Sequence, residues 1–336
     1  MSLAQDPRVM AELELGTPPG PDGKVTAAPP PRRRQRGGGL LRGLLSNAKA
    51  TSGLVILVLF VLMAVFAPIL APGDPTLIQG IGSQPPSADH WLGTTAKGQD
   101  VLALNVWGSR SSLFVGFTVG ILATFVGLLV GLASAYLGRT IDNVLSLVTN
   151  VFLLLPGLPL LVILAAFLPQ GLGTVVLVLV ITGWAGAARV LRSQAMSIRG
   201  KDFVAASQVT GEGGLRIMFR EMLPNMASIV MSTFLACVIF GIGAQAGLEF
   251  LGLGDISTVS WGTNLYWASN DGALLTGAWW VFVPPGVCIA LVAFALALVN
   301  YGVDETTNPR LRRPRRRTTP DAPTRVAART RKEAVQ

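Results

Sequence analysis

The sequence predicts an all-α membrane protein with six transmembrane helices, and three observations predict it. Long charge-free apolar windows recur along the chain. Only 13% of the residues are charged while 51% are hydrophobic, where a soluble domain carries about 25% charged residues. The Lys and Arg residues gather at the two chain ends and in alternate loops between the windows.

The windows give the elements in order. A helix needs about 20 mostly apolar residues to cross a hydrocarbon core about 30 Å thick. Ala50–Gly73 is the first window and Ser111–Gly138 the second. Asn143–Ala188 runs 46 residues without a charge, about 69 Å as a helix, too long for one crossing and suited to two. The turn-forming cluster Pro169-Gln170-Gly171-Leu172-Gly173 divides it into the third and fourth spans. Pro156 and Pro159 interrupt the third, where proline removes a backbone hydrogen bond. Met222–Leu248 is the fifth, and Gly272–Val303 contains the sixth. The runs are continuously apolar, unlike the alternating ten-residue segments of a membrane barrel. The 38 glycines suit close helix packing.

Charge sets the orientation. With both termini cytoplasmic, 8 Lys and Arg residues fall in positions 1–50, one at Arg139, 6 between Arg189 and Arg220, and 10 in the C-terminal tail. Only Lys97 and Arg110 of the 27 are left on the far side. The first span has too long a leader and core for a cleaved signal peptide, and is read as retained. The expected division is a disordered basic cytoplasmic tail (1–46), a first span with an extracytoplasmic segment (47–104), a five-helix core (105–302) and a second disordered basic tail (303–336). Arg32-Arg33-Arg34 and Arg315-Arg316-Arg317 are expected to meet anionic membrane lipid.

Most loops are short, but residues 193–223, between spans four and five, differ. This stretch is too short to be a domain and too apolar for a plain connector. Phe203, Val204, Ala206 and Val209 fall at helical spacing with Asp202 as an N-cap, and Gly211 and Gly213-Gly214 end that helix. Pro224 suits the first turn of the fifth span. A short helix at the cytoplasmic face is either an interfacial helix resting on lipid or a knob that inserts into a partner, and spacing alone leaves both open.

The loop resembles that of ABC importer permeases, E-A-A-x3-G-x9-I-x-L-P. Gly211 matches the Gly, Leu223 and Pro224 the L-P, and Ala206 the first Ala; Ser207 replaces the second Ala, Ala205 the Glu and Glu221 the Ile. His90-Trp91-Leu92-Gly93-Thr94 with Gly98-Gln99-Asp100-Val101 resembles the H-P-L-G-T-D-x-x-G-R-D-V segment of the dipeptide/oligopeptide branch, with Thr95 for its Asp and Gln99 for its Arg. Phe250-Leu251-Gly252-Leu253-Gly254 and Ser260-Trp261-Gly262 resemble F-L-G-L-G…P-S-W-G, and Asn308-Pro309-Arg310-Leu311-Arg312 the D-P-R-L-R ending. The matches run in order from about residue 50 to 312.

This resemblance implies a type I importer fold and a subunit that forms the translocation pathway for peptides or related small solutes. The implied partners are a second homologous permease, cytoplasmic ABC ATPases and an extracytoplasmic solute-binding protein. It makes Asp202, Phe203, Ala205, Ala206, Ser207, Gly211, Leu223 and Pro224 the ATPase-coupling residues. Ala205 in place of the family's Glu implies contact by packing rather than charge.

The remaining features narrow the function further. The chain has no G-x-x-x-x-G-K-[S/T] loop, so ATP chemistry is assigned to another subunit and no cofactor is expected. His90 is the sole histidine, and Cys237 and Cys288 read as buried hydrophobes, which leaves no metal cluster and no nucleophile–base pair. The basic residues lack the aromatic interleaving of a nucleic-acid face. An ion-coupled secondary transporter is the alternative, but the span interiors are nearly free of ionisable groups. Glu249 and Asp142 are placed at interfaces, and Trp261, Trp267, Trp279 and Trp280 read mostly as interfacial anchors.

Overall fold

The computed structural model describes residues 47–78 and 80–307, the last two by backbone alone. The tails read as disordered, the lipid-facing arginine clusters and the Asn308–Arg312 motif therefore lie outside the described residues, apart from 303–307. No strand occurs among the described residues, and Thr94 and Asp100 form an isolated bridge.

The main helices are α1 (Ala48–Val65), α2 (Val101–Tyr136), α3 (Arg139–Leu154), α4 (Gly157–Phe167), α5 (Leu172–Arg199), α6 (Asp202–Val209), α7 (Ala227–Phe250), α8 (Trp261–Asn270) and α9 (Trp279–Thr307), with a further short turn of helix at Ala67–Leu70. Five are individually long and apolar enough to cross a membrane, and the count is six if α3 and α4, bent by 88° to one another, form one broken span. The bend has a local cause. The residue before a proline is driven out of the helical region, and Leu155 sits at ψ 134 before Pro156. Pro169 and the glycines that follow separate α4 from α5 as the sequence predicts.

Polar caps move some ends away from the hydropathy windows. Asp100 accepts from the Leu102 N–H at 2.8 Å, so α2 begins at Val101 rather than Ser111. Its 36 residues span about 54 Å, longer than a hydrocarbon core. Met226 (φ −102, ψ −2) delays α7 to Ala227, so Pro224 lies in a short turn ahead of the span rather than in its first turn. The expected tail boundary at 303 falls inside α9. Asp304 and Glu305 read as tail by charge, yet Asp304 accepts from Ser232 at 2.9 Å and Glu305 from Asn47 at 2.6 Å, fastening α9 to α7 and α1.

α2 is the mast of the bundle. A Cβ on Gly127 would lie 2.7 Å from Ala187 Cβ, and one on Gly131 2.8 Å from the Arg192 nitrogen, so α5 approaches backbone to backbone. Gly116 and Gly120 face Ile242 and Val238 of α7 in the same manner. Small residues at helical spacing are the membrane solution to close packing. Gly53 gives α1 the same access to α9, where a Cβ would sit 2.6 Å from the Ala295 carbonyl.

The bundle has two distinct ends. At one, the starts of α1 and α7 meet the finishes of α2, α5 and α9, and the residue 200–226 loop attaches there; this is the loop end. At the other, residues 71–100 and 251–278 form a cap.

Candidate functional site

Helix α6 is held by one side chain. Val204 is fully buried against Ile217, Met218, Met222 and Met226, which pack on Leu132, Ala135, Leu191 and Ala195 of the bundle. The rest of its surface is open: Phe203 is 40% and Val209 88% exposed, and Ala205 and Ala206 are exposed between them. Ser207 is half-buried and its hydroxyl donates to the Phe203 carbonyl at 3.1 Å. Lys201, not Asp202, is the N-cap, and it makes no side-chain cap bond. Asp202 occupies the first turn, where its charge faces the positive end of the helix dipole.

The helix ends as its glycine predicts. Gly211 adopts φ +80. Its N–H donates to the Gln208 carbonyl at 3.1 Å, and the Glu212 N–H reaches the Ser207 carbonyl at 3.1 Å. These are the two bonds of a Schellman closure. The chain then runs through one α turn (Gly214–Arg216), a π segment (Ile217–Met222) and a second α turn (Leu223–Asn225). π geometry is rare and concentrates at functional sites. Here the wide turn buries Ile217, Met218 and Met222 together beneath Val204. Leu223 is half-buried and Pro224 exposed.

The loop also packs on the foot of α2. A Cβ on Gly214 would lie 2.7 Å from the Tyr136 ring at the foot of α2. The Arg199 guanidinium donates to the Ala135 carbonyl at 2.7 Å and lies 5.8 Å from the same ring. Beside it, Arg192 grips Asp142 with two bonds of 2.6 and 2.7 Å, linking α5 to α3. The eight sequence-predicted loop residues thus lie in one segment at the loop end, all of them exposed except Ser207 and Leu223, which are half-buried.

The motifs at the other end hold the cap together. Trp261 is completely buried, its indole N–H donating to the Asn105 carbonyl at 3.1 Å and its backbone N–H to Ser112 at 3.1 Å, so it is a core residue and not an interfacial anchor. Trp280 donates to the Thr94 carbonyl at 3.2 Å; Trp279 is 57% exposed. Glu249, read from sequence as interfacial, is 1% exposed and accepts from Gln245 at 2.9 Å and from the Ser260 hydroxyl. Gly254 and Gly262 make its space: a Cβ on the first would lie 2.7 Å from the Glu249 Cγ and on the second 2.8 Å from the Ala246 Cα. Sequence reasoning saw the glycine motif but not the carboxylate that it encloses. The signal was the placement of Glu249 directly before Phe250-Leu251-Gly252-Leu253-Gly254.

An apolar bundle whose helices are long enough to cross a membrane, with a short anchored helix at one end and a folded cap at the other, is a helical membrane protein. The chain belongs to the family of binding-protein-dependent transport system inner membrane components, whose model matches residues 123–313. A second model, the N-terminal transmembrane domain of oligopeptide transport permease C, matches residues 39–89. Similar proteins include the dipeptide transport system permease protein DppC of Bacillus subtilis, 35% identical over 81% of this chain and 85% of its own length. The oligopeptide transport system permease protein OppC of the same organism is 33% identical over 80% of this chain and 88% of its own. OppC of Mycobacterium bovis is 32% identical over 82% and 96%. The chain is accordingly a multi-pass inner-membrane permease subunit of an ABC importer. It is non-catalytic, and it works with an ATPase and a binding protein.

Proposed function

We propose that this permease imports dipeptides or oligopeptides and that α6 is the element through which the ATPase drives it. The substrate reading rests on the dipeptide and oligopeptide permeases that the chain resembles along most of its length. The coupling reading rests on one observation: α6 offers an apolar tip, Phe203, Ala205, Ala206 and Val209, while a single buried residue, Val204, fastens it to the bundle. An exposed apolar patch on a short, anchored helix suits insertion into a partner groove.

In this reading both termini and the loop end are cytoplasmic, the cap is extracytoplasmic, and a second homologous permease completes the pathway. The proposed coupling loop is 193–223, within a core of residues 105–302 that follows the first span and its extracytoplasmic segment. Closure of the ATPase pair moves α6, and the contacts of Val204, Tyr136 and Arg199 carry the movement to α2 and α5 as rigid bodies. ATP supplies the difference in binding energy between the inward- and outward-open states. Because Ala205 stands where the family carries an acid, α6 engages its partner by packing.

Co-purification tests the contact. Val209→Asp, at a fully open position, should leave the chain in the membrane at wild-type level and reduce ATPase recovered with it by about tenfold, the effect of about 1.4 kcal/mol. Unchanged recovery for both Val209→Asp and Phe203→Asp would remove α6 from the interface.

A further inference from the structure

An open groove of about 430 Å³ runs down the outside of the bundle, between the end of α1 and the cap-side half of α2. Its floor is one face of α2, where Arg110, Leu113, Phe117 and Ile121 recur at intervals of three and four. Val61 and Val65 of α1 form its wall. Apolar side chains continue on both flanks, Leu62 of α1 and Phe125 of α2 being exposed, so the groove opens toward lipid.

Arg110 differs in kind from the rest of the lining. It is exposed, and its guanidinium makes no hydrogen bond or ion pair among the described residues, lying 5.2 Å from the Trp107 ring. It is the last charged residue before the charge-free run that starts at Ser111. That puts it at the headgroup boundary, the level at which tryptophans such as Trp107 collect. From Arg110 to Ile121 an α-helix rises about 16 Å, and half of a hydrocarbon core about 30 Å thick is about 15 Å. The groove is thus one leaflet deep, with a cation at its polar end.

We propose that this groove holds one anionic phospholipid of the cap-side leaflet, its phosphate on Arg110 and an acyl chain lying between α1 and α2. A guanidinium can give a phosphate two parallel hydrogen bonds, and no carboxylate of the described residues competes for this one. The depth of the groove separates a lipid from a protein partner, whose fit would not be set by the thickness of a leaflet. The site depends neither on the coupling reading nor on the identity of the cargo.

Native mass spectrometry tests it, with the full chain released from detergent containing phosphatidylglycerol and phosphatidylcholine of identical acyl chains at equal concentration. One phosphatidylglycerol should stay bound per chain, favoured over phosphatidylcholine by about fivefold, the effect of one cation beside an anionic headgroup. Arg110→Gln should remove that preference. Thr118→Phe, which fills the groove and leaves the cation in place, should lower retention of both lipids. Glycerol phosphate, which has the phosphate but no acyl chain, should not displace the lipid even in large excess. The wild-type preference and the competition need no variant, so the test survives misfolding of either mutant. The proposal is overturned if wild type retains no lipid, if it retains both headgroups equally, or if the preference persists in Arg110→Gln. Retention unchanged in Thr118→Phe would place the lipid elsewhere on the bundle, and displacement by glycerol phosphate would make the ligand a free phosphate; either result also overturns it.

Discussion

Trp261 fills the junction of α1, α2, α7 and α9, edge-on to Phe60 at 5.7 Å between ring centroids. Trp261→Phe keeps most of that packing but removes the indole bond to the Asn105 carbonyl, which retains its partner within α2, so it should destabilise by about 0.5–1.5 kcal/mol, read as a lower unfolding temperature in detergent; an unchanged temperature would show that the bond to Asn105 contributes nothing. That burial was hidden in the sequence for a specific reason. A tryptophan beside a span end reads as an interfacial anchor, and only the fold-back of residues 251–260 turns it inward. Glu249 was misplaced by the same fold-back: a carboxylate at the end of an apolar run reads as facing water until Gly254 and Gly262 are seen to open a pocket around it. Gly211, by contrast, was legible. A glycine two residues beyond an apolar helical pattern predicts a left-handed closure, and φ is +80 there.

At the scale of elements, α3 and α5 are joined by Arg192 and Asp142, whose side chains are 32% and 18% exposed. Solvent screening at that exposure limits the pair to about 1 kcal/mol despite its two-pronged geometry. A double-mutant cycle with Arg192→Met and Asp142→Asn should return a coupling of about that size in chemical unfolding; a coupling near zero would mean that helix packing alone sets the α3–α5 angle. The existence and order of the spans were readable because charge-free runs near 20 residues leave few alternatives in lipid. Their ends were less so. α2 starts at Asp100 because a cap, not hydropathy, begins a helix, and α9 continues to Thr307 because Asp304 and Glu305 find partners on other helices. The steepness of the α3–α4 bend was not legible either: two prolines announce an interruption, but 88° follows from the extended backbone at Leu155 and from what packs around it.

For the whole molecule, the orientation proposed from the distribution of Lys and Arg predicts a labelling pattern. With Cys237 and Cys288 replaced by Ala, a cysteine at exposed Ser257 should react with an impermeant maleimide in intact cells, and one at exposed Ala206 only after permeabilisation; the reverse pattern would invert the assigned topology. The family could be read from collinear motifs, whereas the single anchor of α6 and the cap's internal bonds needed three dimensions, since Val204 joins the cluster around Ile217 and Trp261 meets Asn105 only after the chain folds. The account turns on α6 carrying the work of ATP into the bundle. Its most direct test is peptide uptake into proteoliposomes holding this chain with its permease partner, ATPase and binding protein, comparing wild type with Gly211→Val. A Cβ added there meets no neighbour within 4 Å, while φ is +80, so the substitution acts chiefly through a backbone strain of about 1–2 kcal/mol at the helix end. Wild type should accumulate peptide only with ATP, and Gly211→Val should hydrolyse ATP without uptake. ATP-driven uptake by Gly211→Val at the wild-type rate, or uptake by wild type with no ATPase present, would contradict the account.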